Sequence, residues 1–179
     1  AVSPAHPLSF KGVMDELFFG PLGDQAGLRR EQVIFPNEEN IGSLAEMIAE
    51  GGLDACLGGV GIHGHVAFNE PERGVADSGP RRVQLNDYSV TINAVRAGVG
   101  GNLECFPREA FTLGMRQILS ARRIFLYVRN GCEFDWANTV LRLALFGTPG
   151  CDYPVTLIRD REYTVITDRD TLRTPANQL

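Results

Sequence analysis

Leu53 to Leu57 read as a buried strand, and the chain then breaks into glycine: Gly58-Gly59-Val60-Gly61-Ile62-His63-Gly64-His65-Val66-Ala67-Phe68-Asn69-Glu70-Pro71. A strand that runs into so many glycines must end in a tight turn, where backbone can approach a ligand closely. Two of the chain's three histidines stand one residue apart in that turn, and a carboxylate follows the second by five residues. Imidazole and carboxylate groups move protons near neutral pH, so the chemistry is expected here.

The flanking sequence alternates helical and strand patterns. Val13, Met14, Leu17 and Phe18 predict an amphipathic helix over roughly 9–19, ended near Gly20-Pro21. Gln32 to Phe35 predicts a short strand stopped by Pro36, and Asn40 is placed to cap a helix with Ile41, Leu44, Met47 and Ile48 on one face. Val83 to Leu85 and Phe111 to Met115 predict strands, with a short helix over 116–121 and a loop over 97–108. Ile124 to Val128 is apolar throughout and is expected to be covered on both faces. A helix over about 134–146 carries Phe134, Ala137, Leu141, Ala144 and Leu145, and Val155 to Ile158 and Tyr163 to Ile166 close the chain as strands. Such alternation implies a mostly parallel α/β sheet with its site at the carboxyl ends of the strands.

With 179 residues, 44% apolar and 22% charged, the chain suits one soluble globular domain. A net charge of −5 argues against nucleic acid or an anionic membrane as the main partner. Cys56, Cys105, Cys132 and Cys151 are too scattered for a zinc group and read as buried or incidental thiols in a reducing compartment. Neither a signal peptide nor a bilayer-length apolar run is visible, so the expected location is cytoplasmic. Ala1 to Pro7 has no initiator Met and reads as a loop already under way, as in a fragment.

Several readings of the glycine turn compete. A nucleotide loop is poorly supported, because neither Gly-x-Gly-x-x-Gly before a helix nor Gly-Lys-Ser/Thr is present. His63-x-His65 followed by Glu70 resembles the metal-ligand run of cupins, but cupins are all-β barrels and the helical periods at 41–50 and 134–146 contradict that fold. The plain alternative makes His65 a buried structural histidine and Glu70 a turn cap. Two histidines, an asparagine and a glutamate together in one turn favour function.

Gly-Val-Gly-x-x-Gly-His-Val-Ala-Phe-Asn-Glu-Pro closely resembles the signature of the glucosamine-6-phosphate deaminase/isomerase family, with Ala67-Phe68-Asn69-Glu70-Pro71 its most specific part. The related 6-phosphogluconolactonases share the Gly-His portion and usually diverge after it. His6-Pro7-Leu8-Ser9-Phe10 resembles the family's His-Pro-x-Ser-aromatic segment. Thr112-Leu113-Gly114-Met115 with Ile118 to Arg122 resembles its strand and turn after the active-site loop. The resemblance implies a Rossmann-like three-layer α/β sandwich, one domain over 1–179 lacking its first βα units, no metal and no cofactor. It also implies carbohydrate metabolism: a hexosamine 6-phosphate isomerised from aldose to ketose with loss of ammonia, by a possible homo-oligomer. His65 matches the ring-opening histidine, Glu70 its carboxylate partner, and Arg96 a phosphate-binding arginine whose plain alternative is a solvated surface charge.

Three departures qualify that expectation. His63 stands where the family usually has an aspartate, and a second imidazole cannot act as an anion. The lysine expected near 130–134 is replaced by Asn130-Gly131-Cys132-Glu133-Phe134, where a glutamate would repel phosphate. The family's phosphate loop and general base precede the His-Pro segment, so these 179 residues are expected not to turn over glucosamine 6-phosphate. A non-catalytic sugar-phosphate-binding or regulatory protein is therefore the second reading, and a metal-dependent His-x-His enzyme the third.

Overall fold

The structure, a computed structural model, describes residues 2–23, 27–98, 102–131 and 135–174. Helix α1 (Phe10–Met14) starts where the Ser9 hydroxyl accepts from the Gly12 N–H at 3.2 Å. Helical backbone continues through a wider stretch, Asp15–Phe19, into α2 (Gly20–Leu22). It therefore passes the expected stop at Gly20-Pro21, with Pro21 the second residue of α2, directly after the widened stretch.

Gln32 to Phe35 forms no strand. A 3-10 turn at Arg30–Gln32 takes its start, and the Asn40 side chain donates to the Phe35 carbonyl at 2.9 Å, using a group that a ladder would need. That role removes Asn40 from the helix cap, so α3 (Leu44–Gly51) begins after Ser43 and ends at Gly52 with φ 72°.

The remaining elements are β1 (Ala55–Gly59), β2 (Arg81–Gln84), α4 (Asp87–Arg96), β3 (Glu109–Thr112), α5 (Met115–Ser120), β4 (Arg123–Tyr127), α6 (Ala137–Phe146), β5 (Tyr163–Ile166) and α7 (Arg169–Leu172). Strands β1, β4 and β5 form a parallel sheet in that order, and β2 pairs antiparallel with β3. The expected α/β class with a mostly parallel sheet is what the chain adopts.

Alternation across β4 decides where the core lies. Ile124 and Leu126 are fully buried, whereas Phe125 is half-buried and Tyr127 is 49% exposed. The expectation that β4 is covered on both faces is thus corrected, since successive strand side chains point to opposite sides. Its filled side packs with Met115 and Ile118 of α5 and with Val140, Leu141 and Ala144 of α6. Burying each of the larger side chains among these contributes roughly 1.5–3 kcal/mol.

Val155 and Ile158 complete that core from a 3-10 run, Pro154–Asp160, and not from a strand. Three residues make one 3-10 turn, so both side chains reach the same face. Helix α4 is absent from the sequence reading. Asn86 caps it, its side-chain oxygen accepting from the Ser89 N–H at 3.0 Å, and Val90 and Ala94 bury against Leu85 and Phe106. The helix expected from about 134 begins at Ala137, and Phe134 lies outside the described residues.

Candidate active site

Strand β1 ends at Gly59, and the glycine turn that follows lies at the carboxyl end of the parallel sheet, where ligands of α/β folds bind. The turn is fastened at several points. Gly61 N–H donates to the His65 carbonyl at 2.9 Å, Gly64 N–H to the Gly61 carbonyl at 3.0 Å, and Val155 N–H to the Gly64 carbonyl at 2.8 Å. Gly64 has φ 77°, which few other residues adopt without strain. Ala67 has φ 53°, a left-handed conformation costing roughly 1 kcal/mol or more for a residue with a Cβ, and it stands between His65 and Glu70.

Asn69 locks the turn to its surroundings. It is fully buried, and its amide donates to the Val66 carbonyl at 3.1 Å and the Leu113 carbonyl at 2.9 Å. Its oxygen accepts from Arg81 Nη1 at 2.8 Å and Ser78 Oγ at 3.3 Å. Asn69 therefore acts as a structural clasp.

His63, His65 and Glu70 come together. Glu70 Oε2 lies 2.7 Å from His63 Nε2 and 3.3 Å from His65 Nδ1, and the two rings meet edge to face with centroids 5.0 Å apart. Helix α4 supplies the other contacts: Ser89 Oγ donates to Glu70 Oε1 at 2.5 Å and Asn86 Nδ2 to Oε2 at 2.8 Å. Asn86 Nδ2 also lies 2.5 Å from His63 Nε2. Asn86 thus caps α4 with its oxygen and steadies Glu70 with its nitrogen. Sequence reasoning missed both Asn86 and Ser89, although Asn86-Asp87 is a recognisable helix start.

The electrostatics separate the two partners. Burial alone would raise the Glu70 pKa, but hydrogen bonds from His65 and Ser89 and the field of both imidazoles outweigh it and hold the carboxyl below its usual range. For His63, burial dominates and pulls the pKa down against the opposing pull of Glu70, while nearby His65 pulls the same way as burial. The balance favours the neutral form of His63, and in neither form can an imidazole replace an anion.

Arg96 lies apart from this cluster. It ends α4, seven residues after Ser89, which is about 10 Å along the axis on nearly the same stripe. Its guanidinium lies 4.7 Å from the centroid of the Trp136 ring, and among the described residues no carboxylate pairs with it. Of the segment that departs from the family pattern, Cys132, Glu133 and Phe134 lie outside the described residues. Cys56 and Cys151 are free, and burial pushes the Cys56 thiol up, away from thiolate reactivity. No described helix is long and apolar enough to cross a membrane.

No family model matches the chain. A glucosamine-6-phosphate deaminase of Thermoanaerobacter sp. (strain X514) is 33% identical over 132 residues, covering 70% of this chain and 49% of that protein. The solved structure of a monomeric glucosamine-6-phosphate deaminase matches with a TM-score of 0.81 and 25% identity, over 96% of this chain and 69% of that one. The chain belongs to the glucosamine-6-phosphate deaminase family, as a divergent member. It spans about half the length of the first curated relatives it matches. A 6-phosphogluconolactonase from Leishmania guyanensis, at 15% identity and a TM-score of 0.61 over 95% of this chain and 69% of that one, shares the fold alone.

Proposed function

We propose that this deaminase-family chain is a single isomerase-like domain that opens the ring of a hexosamine 6-phosphate, the first step of aldose–ketose isomerisation with deamination. The observation that carries this reading is the Glu70 carboxylate held between two imidazoles and fixed by Asn86 and Ser89. Opening a pyranose ring requires a proton at the ring oxygen as the anomeric hydroxyl loses one. His65 faces Glu70 through Nδ1, which leaves Nε2 to carry that proton, and the carboxylate stabilises the charge His65 acquires. Arg96 is the phosphate contact in this reading, its planar fork matching phosphate oxygens two at a time.

One observation favours a second reading, a non-catalytic sugar-phosphate-binding or regulatory protein. Glu70 Oε2 lies closer to neutral His63, at 2.7 Å, than to His65, at 3.3 Å. The carboxylate is then divided between two imidazoles, which leaves less of it to stabilise the charge that His65 acquires.

Ring opening has its own assay. Exchange between the α and β anomers of glucosamine 6-phosphate, followed by NMR, requires the open chain but not loss of ammonia. The chain is expected to accelerate this exchange, and His65→Ala to lose about 10²–10⁴-fold, the usual worth of a positioned acid–base group. Exchange that survives His65→Ala overturns the assignment. Binding of the sugar phosphate with no acceleration supports the second reading.

A further inference from the structure

We propose that His63 Nε2, His65 Nδ1 and Glu70 form a binding site for one divalent transition-metal ion of the zinc or cobalt type. The three ligand atoms all lie within 4.8 Å of one another, and the residues are half-buried or buried. Two imidazoles and one carboxylate are the donor set that borderline metals prefer, whereas magnesium and calcium require mostly oxygen.

The spacing fits. Ligands about 2.0 Å from a tetrahedral ion stand roughly 3.3 Å apart. His65 Nδ1 and Glu70 Oε2 already lie at 3.3 Å, and His63 Nε2 and Glu70 Oε2, at 2.7 Å, need only a small opening. His63 Nε2 and His65 Nδ1 now share protons with the Glu70 carboxylate, so an ion that binds there displaces those protons. Ligation through Nε2 moves the His63 ring proton to Nδ1, which is buried without a hydrogen-bond partner. Supporting contacts are also in place. Ser89 holds Glu70 through Oε1, which leaves Oε2 directed at the histidines, and Asn86 steadies that oxygen from α4. Cupins carry such a triangle of donors on an all-β barrel, whereas here it meets at the end of an α/β sheet.

The site goes beyond the proton-relay reading and competes with it. An ion on His65 Nδ1 and Glu70 Oε2 removes the pairing that lets His65 carry a proton, so an occupied site opens no ring. Metal binding and ring opening are thus alternative uses of the same three side chains.

The test is a titration of the chelator-treated chain with CoCl2 and then ZnCl2, with no sugar phosphate present. One equivalent of cobalt is expected to give the visible band of a low-coordinate Co2+, which zinc then bleaches. His63→Asn and Glu70→Gln are each expected to weaken binding at least about tenfold, while His6→Ala leaves it unchanged. A band that is absent, that survives both site variants, or that vanishes with His6→Ala overturns the proposal. Imidazole 15N resonances of the unaltered chain give a second readout that needs no variant to fold: zinc is expected to shift two histidines and not the third. Because neither readout involves sugar or turnover, failure here leaves the ring-opening reading to stand or fall on its own assay.

Discussion

Asn69→Ala is expected to lower the stability of the chain by about 3 kcal/mol, read as a lower midpoint in urea denaturation with an unchanged slope. The size follows from what the substitution leaves behind. Removing the amide takes one donor each from the Val66 and Leu113 carbonyls and one acceptor each from Arg81 Nη1 and Ser78 Oγ, all around a side chain with no exposure. The Val66 carbonyl keeps the Asn69 N–H, the Leu113 carbonyl the Thr112 hydroxyl, and Arg81 Nη1 the Gly79 carbonyl. Each lost hydrogen bond contributes about 0.5–1.5 kcal/mol net, so the loss of four together gives about 3 kcal/mol. Arg81 keeps its pairing with Glu72 at 2.7 Å, which limits the loss on that side. Aspartate is not a rescue, because its oxygen would face the two carbonyl oxygens that the amide nitrogen now satisfies. A change below about 1 kcal/mol in the alanine variant would show that the clasp does not hold the turn.

Gly61→Ala is expected to abolish anomer exchange as thoroughly as His65→Ala and also to destabilise the fold by about 1–3 kcal/mol. An alanine Cβ at this position would lie 2.0 Å from His65 Nε2, 2.1 Å from Cε1 and 2.4 Å from Cδ2. The imidazole must therefore leave its place, and leaving it breaks the 3.3 Å approach of Nδ1 to Glu70. Proton transfer depends steeply on such placement, so displacing the ring removes catalysis without deleting it. The paired measurements are a thermal melt and the NMR exchange rate. An alanine variant that melts lower yet exchanges anomers normally would show that this pose of His65 is not the working one.

The turn was legible from sequence because its information is local. Gly61, His63, His65 and Glu70 lie within ten consecutive residues, and the strand before them sets which end of the sheet they occupy. What steadies Glu70 was not legible. Asn86 and Ser89 arrive from α4, whose exposed side mixes Tyr88, Thr91 and Val95, so its apolar stripe is thin and its helical period weak. Strands β1, β4 and β5 lie close to where the sequence places them, but β1 is not the buried strand expected, since it alternates exposed and half-buried residues and Leu57 is 66% exposed. The cue of a short apolar segment also misled at Val155 to Ile158, where Val-Thr-Leu-Ile, mostly apolar and β-branched, fits a strand and a 3-10 turn equally well. It misled again at Gln32 to Phe35, because strand propensity cannot supply a partner strand. His63 was read as a departure from the family, and its distances to Glu70 and Asn86 show where that departure acts.

The placement of Arg96 over Trp136 has an optical consequence. Trp136 is the chain's single tryptophan, and the cation lies 4.7 Å from the centre of its ring. All of the tryptophan emission therefore comes from an indole whose excited state senses that one guanidinium. A phosphate that draws Arg96 away changes the charge over the ring and moves the emission maximum, so the chain carries its own fluorescent gauge of phosphate seating. A sugar phosphate that binds while leaving the spectrum untouched is being held somewhere other than at Arg96.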